Sequence, residues 1–180
     1  LKATDSSIAL GTDTQVVTIT IKGSNDAPDI SVGVMDAQIE EEVTLTDSGS
    51  FTFTDVDLTD APVATVTNEL LVITADPTGN LSLTVPQQTA IKNAFSITNL
   101  GTNDNNGTVN WGYTISETNL NFLAAGEEIE ATFTITLNDD NGGVVWENVT
   151  VTINGTNDAA TVSSASLVLT ETDAALTASG

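Results

Sequence analysis

Apolar and polar side chains alternate along most of this chain, and an alternation with a period of two predicts β-strands. The longest examples are residues 129–137, where every second position is apolar, and residues 145–153. The sequence DDNGG at 139–143 lies between them and contains Asn141 and Gly142, a pair that tolerates the positive φ of a tight hairpin. The two runs therefore predict neighbouring antiparallel strands joined by a hairpin.

Shorter alternating runs recur through the rest of the chain, separated by Gly, Asn, Asp and Pro. They predict strands at 16–21, 30–34, 43–45, 51–53, 63–66, 70–73, 81–85 and 109–115. The segment PQQTAIKNAF at 86–95 differs, because Pro86 precedes helix-tolerant residues and Ile91 and Phe95 are four positions apart; it predicts a short helical turn. Many strands without alternating helices favour an all-β fold, a Greek-key β-sandwich, over a βαβ fold.

An internal near-copy divides the chain into repeat units. VTITIKGSNDA at 17–27 returns as VTVTINGTNDA at 149–159, an offset of 132 positions, and LTDSG at 45–49 returns as LTASG at 176–180 with an offset of 131. This period leaves room for one domain with a real hydrophobic core and for two flanks. We therefore predict the last strand of a preceding repeat at 1–23, a complete β-sandwich repeat at 24–158 and the first strand of the following repeat at 159–180.

The chain is strongly acidic: 25 acidic residues stand against three lysines, and the formal net charge is -22. Nucleic acid is excluded as a partner, because its phosphates carry charge of the same sign. Self-repulsion of this size destabilises the compact state unless cations neutralise it, so divalent cations are expected ligands. The absence of Cys and His excludes zinc sites built on those ligands, thiol nucleophiles and serine-histidine triads.

Membrane insertion is not expected, since the chain contains no run of 18 apolar residues. Leu1 begins in a strand-like stretch without a basic region or a signal peptide. The chain is therefore predicted to be an interior piece of a longer protein, with its targeting signal elsewhere.

Several motifs in the chain match a known module. NLNFLAAGEEIEATFTITLNDDNGGVVWENVTVTINGTNDA, residues 119–159, resembles the C-terminal half of the VCBS repeat, which occurs in very large repeats-in-toxin type adhesins and other bacterial surface proteins. GSNDAP at 23–28 and GTNDA at 155–159 are similar to its repeat boundaries, and FTDVD at 53–57 is similar to its early acidic motif. The resemblance covers essentially the whole of 24–158.

This resemblance implies a cadherin-like sandwich, repeated in tandem, within the cadherin/immunoglobulin class of folds. It implies an extracellular or cell-surface location on a bacterium that exports the protein by type I secretion. It also implies a structural role in extension and adhesion, with neighbouring repeats of the same chain as partners and calcium as the cofactor that stiffens the array.

Cadherin modules hold calcium at the junctions between repeats, and the resemblance implies which oxygens would serve here. Calcium takes six to eight oxygen ligands, which only several converging segments can supply. At the first junction the implied ligands are Asn25 and Asp26 of the linker and the Asp-X-Asp pair Asp55 and Asp57. At the second they are Asn157, Asp158, one of Glu40 to Glu42, for which we take Glu41, and Asp139 or Asp140. A purely structural interpretation stays open, because Asn-Asp and Asp-Asp-Asn-Gly are also ordinary turn formers.

The sequence leaves two other functions open. Glycan or cell-surface binding needs exposed aromatic rings; Trp111 shares a face with Tyr113 and is expected in the core, whereas Trp146 is out of phase with its strand and is a weak platform. Glycosidase chemistry needs a pair of carboxyl groups in an apolar site, and nothing isolates such a pair within the acidic clusters at 40–42 and 127–130. We therefore predict a structural spacer and no enzyme, with a glycan- or cell-binding adhesion module as the alternative.

Overall fold

The chain folds mainly into β-strands, with one short α-helix. The computed structural model describes residues 2–4, 12–31, 33–100 and 104–160. Its strands are β1 (Lys2–Thr4), β2 (Thr12–Thr14), β3 (Asp29–Ile30), β4 (Asp36–Glu40), β5 (Thr46–Thr54), β6 (Val63–Ala75), β7 (Phe95–Leu100), β8 (Asn106–Thr114), β9 (Glu128–Asn138) and β10 (Val144–Asn154). Helix α1 spans Val85–Asn93, and a 3₁₀ turn spans Glu117–Asn119.

Strands β3 to β10 form two four-stranded sheets that pack face to face. One sheet has the order β4-β10-β9-β6, in which β4 runs parallel to β10 and the other pairs are antiparallel. The other has the order β3-β5-β8-β7 and is antiparallel throughout. Without β4, seven strands remain, from β3 as the first to β10 as the seventh. The first, second, fifth and fourth of them (β3, β5, β8 and β7) form one sheet, and the third, sixth and seventh (β6, β9 and β10) form the other, as in immunoglobulin domains. The predicted all-β, immunoglobulin-like sandwich is confirmed.

The core lies between the sheets and takes alternate residues from each strand. Strand β9 shows this most clearly, since the side chains between its buried positions are Glu and Thr. Its fully buried residues are Ile129, Ala131, Phe133, Ile135 and Leu137. Each of the large ones contributes about 1.5–3 kcal/mol by leaving water. Phe133 also stacks on Phe95 of the opposite sheet, with ring centroids 4.1 Å apart, which ties the two sheets together.

Two buried aromatic residues of β8 anchor segments that lie outside the strands. The Trp111 indole N–H donates to the Val34 carbonyl at 2.7 Å, and the Tyr113 hydroxyl donates to the Ile91 carbonyl of α1 at 3.1 Å. Burial raises the pKa of Tyr113, so the hydroxyl stays a neutral donor. The expected core position of Trp111 is confirmed by its exposure of 2%.

The helical turn predicted at 86–95 is confirmed as α1. Gln87 Oε1 accepts hydrogen bonds from the backbone N–H of Thr84 at 2.8 Å and from its hydroxyl at 2.7 Å, and this closes the first turn. Pro86 lies in that turn, where a missing N–H breaks no helical bond. The strand predicted at 81–85 is wrong, because Thr84 and the residue after it belong to the cap and the helix.

Other strand predictions fail where tertiary packing overrides the local pattern. Residues 15–28 lie outside the strands, so the strand predicted at 16–21 is wrong, and the run at 43–45 forms a turn and an isolated bridge. Strand β4 was missed because its sequence DAQIE has only two apolar residues, Ala37 and Ile39. Both are fully buried beside β10, which decides the conformation.

Irregular pairing explains two further differences from the predicted strands. The runs at 63–66 and 70–73 merge into the single strand β6, because the register against β9 shifts after Val66 and lets the chain continue. The strand predicted at 30–34 is shortened to β3, although the Val34 N–H still donates to the Ser50 carbonyl of β5 at 3.0 Å.

Candidate metal centre

Three aspartates meet in the loop that follows β5. Asp55, Asp57 and Asp60 each offer a carboxylate oxygen, and these oxygens lie within 4.8 Å of one another. The Asp57 N–H donates to Asp55 Oδ1 at 2.9 Å, and the Asp60 N–H donates to the Asp57 carbonyl at 2.9 Å, so the loop is tightly folded. Asp55 and Asp60 are only 4% and 5% exposed. The loop therefore concentrates negative charge away from water at one end of the sandwich.

The β9–β10 loop adds a fourth carboxylate beside the aspartate loop. Asp139 Oδ1 accepts the backbone N–H of Asn141 at 2.7 Å, and the Asn141 side-chain amide donates to Asp60 Oδ1 at 2.9 Å. Positive φ occurs at Asp140 (61°) and Gly142 (117°), so the hairpin prediction was right for Gly142 and wrong for Asn141. The asparagine instead bridges the two acidic loops.

The linker ahead of β3 binds to both acidic loops. The Asn25 side-chain amide donates to Asp139 Oδ2 at 2.9 Å, and the Asp26 backbone N–H donates to Asp57 Oδ2 at 2.7 Å. Each contact joins positions far apart in the sequence. The orientation of the linker on the sandwich is therefore fixed through the carboxylates that form the acidic end.

Two further features hold these segments together. Gly143 passes the linker so closely that a Cβ there would lie 2.6 Å from the Ala27 Cα, and a residue with a side chain would displace the linker. The Asn105 side-chain amide donates to the Asp55 carbonyl at 2.7 Å from the segment that precedes β8. Four separate segments thus converge at this end, which we call the aspartate end.

The electrostatics of the aspartate end favour a bound cation. Asp55 Oδ2 and Asp60 Oδ2 are buried and have no hydrogen-bond partner among the described residues. Burial raises the pKa of Asp60, and the charges of Asp57, Asp55 and Asp139 raise it further. The pKa of Asp139 is lowered, chiefly by the Asn25 amide and with support from backbone N–H groups, against the opposing effect of burial. Asp139 is thus a satisfied anion, and the cluster of Asp55, Asp57 and Asp60 can hold a metal ion.

The opposite end of the sandwich, the glutamate end, contains the buried carboxylate of Glu41. Glu41 is 0% exposed in the turn after β4, and its Oε2 accepts the Thr156 backbone N–H at 2.9 Å. Glu41 Oε1 and Thr156 Oγ1 have no hydrogen-bond partner among the described residues. Burial raises the pKa of Glu41 despite the bond from Thr156, and the charges of Asp158, Glu117 and Glu42 add to the effect.

The structure brings together some of the sequence-predicted residues and separates others. Asn25, Asp26, Asp55 and Asp57 share the aspartate end, as the linker and Asp-X-Asp pattern implied. The placement of Asp139 or Asp140 with Glu41 is wrong. The β9–β10 loop follows Asn138, which pairs with Val63, whereas Glu40 pairs with Asn154 at the other end of the same sheet.

The remaining predicted residues are exposed to solvent. Asp140 is exposed, and its N–H donates to Asn138 Oδ1 at 2.9 Å. Asn157 and Asp158 are exposed beyond β10, where the Asn157 side-chain amide donates to the Asp158 carbonyl at 3.2 Å. They follow Thr156, the residue that contacts Glu41, so they lie at the glutamate end.

Sequence reasoning missed three members of the two ends. Asp60 was available from the spacing of FTDVDLTD, in which acids fall at positions i, i+2 and i+5, but only the first two were assigned. Asn141 was interpreted only as a turn residue. Glu117, whose Oε2 accepts the Glu42 N–H at 2.9 Å, had no sequence signal, since it reaches Glu42 only through the fold.

The other candidate groups have simpler roles, and one of them, Glu127, lies at the glutamate end, where its carbonyl accepts the Gly155 N–H at 3.0 Å. Glu127 is buried and its Oε2 accepts the Ala124 N–H at 2.9 Å, so it stabilises the turn before β9. Trp146 is 62% exposed on β10. Among the described residues, no helix has the length and apolar character needed to cross a membrane.

Comparison with known proteins gives similarity at the level of the fold. The sequence matches no protein-family model and no curated protein. A PapD-like domain of human CEP192 is similar in structure, with a TM-score of 0.39 and 9% identity over 81% of this chain and 96% of that one. The sialic-acid-binding region of a Streptococcus sanguinis adhesin has a TM-score of 0.39 and 16% identity, over 87% of this chain and 37% of that one. The chain thus spans little more than a third of that adhesin region.

Proposed function

We propose that this chain contains a structural extender repeat of a secreted or surface-anchored bacterial adhesin, and that calcium at the repeat junctions stiffens it. The observation that carries the proposal is the aspartate end, where Asp55, Asp57 and Asp60 converge. Two of their buried oxygens have no hydrogen-bond partner among the described residues. Three like charges so close together destabilise the fold unless a cation lies between them.

The available donor atoms select the kind of cation. All of them are oxygens, and the chain contains no Cys or His, so the site suits a hard cation and not zinc or copper. The three carboxylates belong to one irregular loop, and further ligands would come from the segments that converge on it. Calcium accepts such irregular sets of six to eight ligands, whereas magnesium demands near-ideal octahedral geometry. Asp55, Asp57 and Asp60 would hold the ion, with Asn25 and Asp26 close by.

Stiffening follows from the bonds that the linker already makes. Asn25 donates to Asp139, and the Asp26 N–H donates to Asp57, a member of the acidic cluster. Neutralising the cluster lowers the repulsion that would push Asp57 outward and so strengthens the linker contact. A calcium-loaded chain would therefore hold successive repeats in line, and a chelated one would bend at the linker.

The expected energies are large enough to matter. Extracellular calcium modules bind with dissociation constants of roughly 10⁻⁴ to 10⁻³ M. With calcium at about 10 mM, each site would add roughly 1.4 to 2.7 kcal/mol to the free energy of unfolding. Several sites per repeat would therefore decide the stability of a marginally stable domain.

Calorimetry and calcium titration test this function directly. We expect chelation with EDTA to lower the melting temperature by about 5 to 15 °C, from the energies above and the usual slope for domains of this size. Titration calorimetry should detect binding that disappears in an Asp55→Asn, Asp60→Asn double variant. Asp36→Asn is the matched control, since Asp36 is an exposed acid in β4 away from both ends. Equal melting temperatures with and without EDTA would refute the calcium role.

The wider assignment rests on the motifs of the sequence. The resemblance to VCBS repeats supports a tandem array, export by type I secretion and a place on the bacterial surface or outside the cell. The high negative charge fits this route, because an uncompensated chain stays soluble and extended before it meets calcium. Sequencing the complete gene would test it, since a spacer requires further repeats and a separate binding domain.

Glycan or cell-surface binding is the second candidate, and the exposure of Trp146 favours it. The ring lies on β10 opposite Thr136 of β9 and is 62% exposed. An exposed indole stacks on the apolar face of a sugar. A glycan array would separate the functions: a spacer binds nothing above background, whereas a binding module gives signals that Trp146→Ala removes.

A further inference from the structure

A hairpin ahead of the sandwich repeats the last hairpin of the sandwich itself. Strands β1 and β2 pair antiparallel, with Lys2 opposite Thr14 and Thr4 opposite Thr12. Strands β9 and β10 also pair antiparallel. The first hairpin precedes the segment 17–27, and the second leads into its near-copy 149–159.

The sequence copy aligns β2 with the start of β10, although the first hairpin is two residues longer, because Thr12 pairs with Thr4 and Val144 pairs with Asn138. An offset of 132 aligns 17–27 with 149–159, and the same offset aligns strand β2 with the first three residues of β10, 144–146. Residues 1–14, LKATDSSIALGTDT, show little likeness to residues 133–146. The pairing of β1 with β2 is therefore an observation separate from the sequence copy. Two independent observations therefore place residues 12–22 in the position of β10.

The apolar residues of the first copy lack the burial that the second copy has. In β10 the residues Val149, Val151 and Ile153 are 0% exposed between β4 and β9. Their counterparts are Val17, Ile19 and Ile21, which are 55%, 79% and 90% exposed. An alternating β-branched segment with this exposure is suited to burial in a sheet.

We infer that residues 2–4 and 12–22 belong to the last hairpin of a preceding sandwich of the same fold. In that unit Val17, Ile19 and Ile21 face the core between a parallel strand equivalent to β4 and an antiparallel strand equivalent to β9. This rests on the proposed tandem repeat and adds the identity, fold and register of the neighbouring unit. It also changes the predicted single strand at 1–23 into the two strands of a hairpin.

The environment of β10 defines the acceptor site in the preceding unit. Val151 lies beside Ala37 of β4 in parallel register and beside Ala131 of β9 in antiparallel register, so the slot is narrow and apolar. Ile19 takes this position, which adds one methylene group. The slot equivalent to Val151 must therefore be slightly wider in the preceding unit than in this one.

A two-sandwich fusion tests the inference. Residues 24–148 are placed directly before Val17 of the chain, so the first sandwich receives 17–22 where it would have 149–154. We expect two folded units, and amide hydrogen exchange at Val17, Ile19 and Ile21 at least about 100-fold slower than in the original chain. The peptide VTITIK occurs once in the fusion, so mass spectrometry reads it unambiguously.

Two matched proteins make either result decisive. A fusion of residues 24–154 before Gly23 keeps the native strand and shows that the added unit folds. Replacing Val17, Ile19 and Ile21 with Thr should abolish protection in the test fusion, yet leave the melting temperature of the original chain unchanged. If the native-strand fusion folds and the test fusion exchanges at Val17–Ile21 as fast as the original chain, the inference is wrong. Calcium titration of the same proteins reports on the junction separately, so a lost calcium response with retained protection counts only against the calcium role.

Discussion

The two ends of the sandwich differ in how many chain segments meet there. At the aspartate end, the β5–β6 loop, the β9–β10 loop, the linker and Asn105 converge, and Asp55, Asp57 and Asp60 share one small volume. At the glutamate end, the buried carboxylate of Glu41 accepts the Thr156 N–H, while Glu42 and Asp158 are exposed. One end brings three carboxylates within 4.8 Å of one another, and the other has no such cluster among the described residues.

This difference shows that burial, and not the number of acids, marks a candidate metal site. The glutamate end also has several acids, with the run Glu40 to Glu42 and the nearby Glu117 and Glu127, but of these only Glu41 has a buried oxygen without a hydrogen-bond partner among the described residues. A solvated carboxylate is satisfied by water, whereas a buried one needs a proton, a donor or a cation. The aspartate end has two buried carboxylate oxygens without a partner among the described residues and three carboxylates within 4.8 Å of one another, so it should dominate calcium binding in this chain.

Among the substitutions at the two ends, Asp60→Asn should change the melting temperature most. The sign of that change should depend on whether calcium is present. In chelator, the substitution removes one of several repelling buried charges and raises the melting temperature. In calcium, it removes a ligand and weakens the measured dissociation constant by at least about tenfold, by analogy with losses at metal sites. Differential scanning calorimetry in both buffers measures the two shifts. A change of the same sign in both buffers would contradict a metal site at Asp60.

Stability as a function of pH should separate the chelated from the calcium-loaded protein. Asp60 and Glu41 have raised pKa values, so each binds its proton more tightly when folded, and unfolding releases it. In chelator their contribution therefore falls as pH rises from their ordinary values of 3.8 and 4.5 toward neutral. Asp139 and Asp76 have lowered pKa values, so their contribution is present above 3.8 and is lost as pH falls through the lowered values.

The calcium-loaded protein should show the opposite trend above pH 4, because calcium binds only the deprotonated carboxylates. Urea unfolding at a series of pH values, with and without EDTA, gives the two curves. We expect the chelated curve to peak in the mildly acidic range and the calcium curve to rise toward neutral pH. Parallel curves would mean that no cation binds the titrating cluster.

Much of the fold could be predicted from the sequence, because an alternation of apolar and polar residues indicates which side chains are buried wherever a strand has one solvent-exposed face. Strands β8, β9 and β10 were predicted on this basis, down to the buried face of Trp111 and Tyr113, whereas helix α1 was predicted from Pro86 and the four-residue spacing of Ile91 and Phe95. The same rule failed at 16–21, whose alternation is as regular as that of β10. A strand needs a neighbouring strand as well as a pattern, and the pattern cannot say whether one is present.

The candidate site could be predicted only in part, since its members come from distant segments. Asn25, Asp26, Asp55 and Asp57 were assigned to one junction from their motifs. Asp139 was assigned to the wrong end, because choosing between the ends requires the direction in which the β9–β10 hairpin points. That direction is set by strand order, which no local pattern encodes.

Glu41→Gln should stabilise the protein modestly in chelator, by about 2 to 4 °C in melting temperature, because it removes an under-solvated charge. The amide oxygen can still accept the Thr156 N–H, and the amide group can donate to Thr156 Oγ1, which is buried without a partner among the described residues. Glu40→Gln is the matched control, since its side chain is exposed. Loss of the calcium-induced shift in Glu41→Gln would instead make the glutamate end the principal site.

Asn25→Ala should produce the smallest effect and test how the linker is held. The substitution removes the amide that donates to Asp139 Oδ2 at 2.9 Å, while the Asp26 N–H can still bind Asp57. Amide exchange in residues 24–28 should become about fivefold faster, as expected for one lost hydrogen bond to a charged group. The melting temperature of the sandwich should hardly change, because the linker adds little to the core. Ser24→Ala, one residue away, should leave exchange unaltered, and equal rates in the two variants would mean that the linker is held without Asn25.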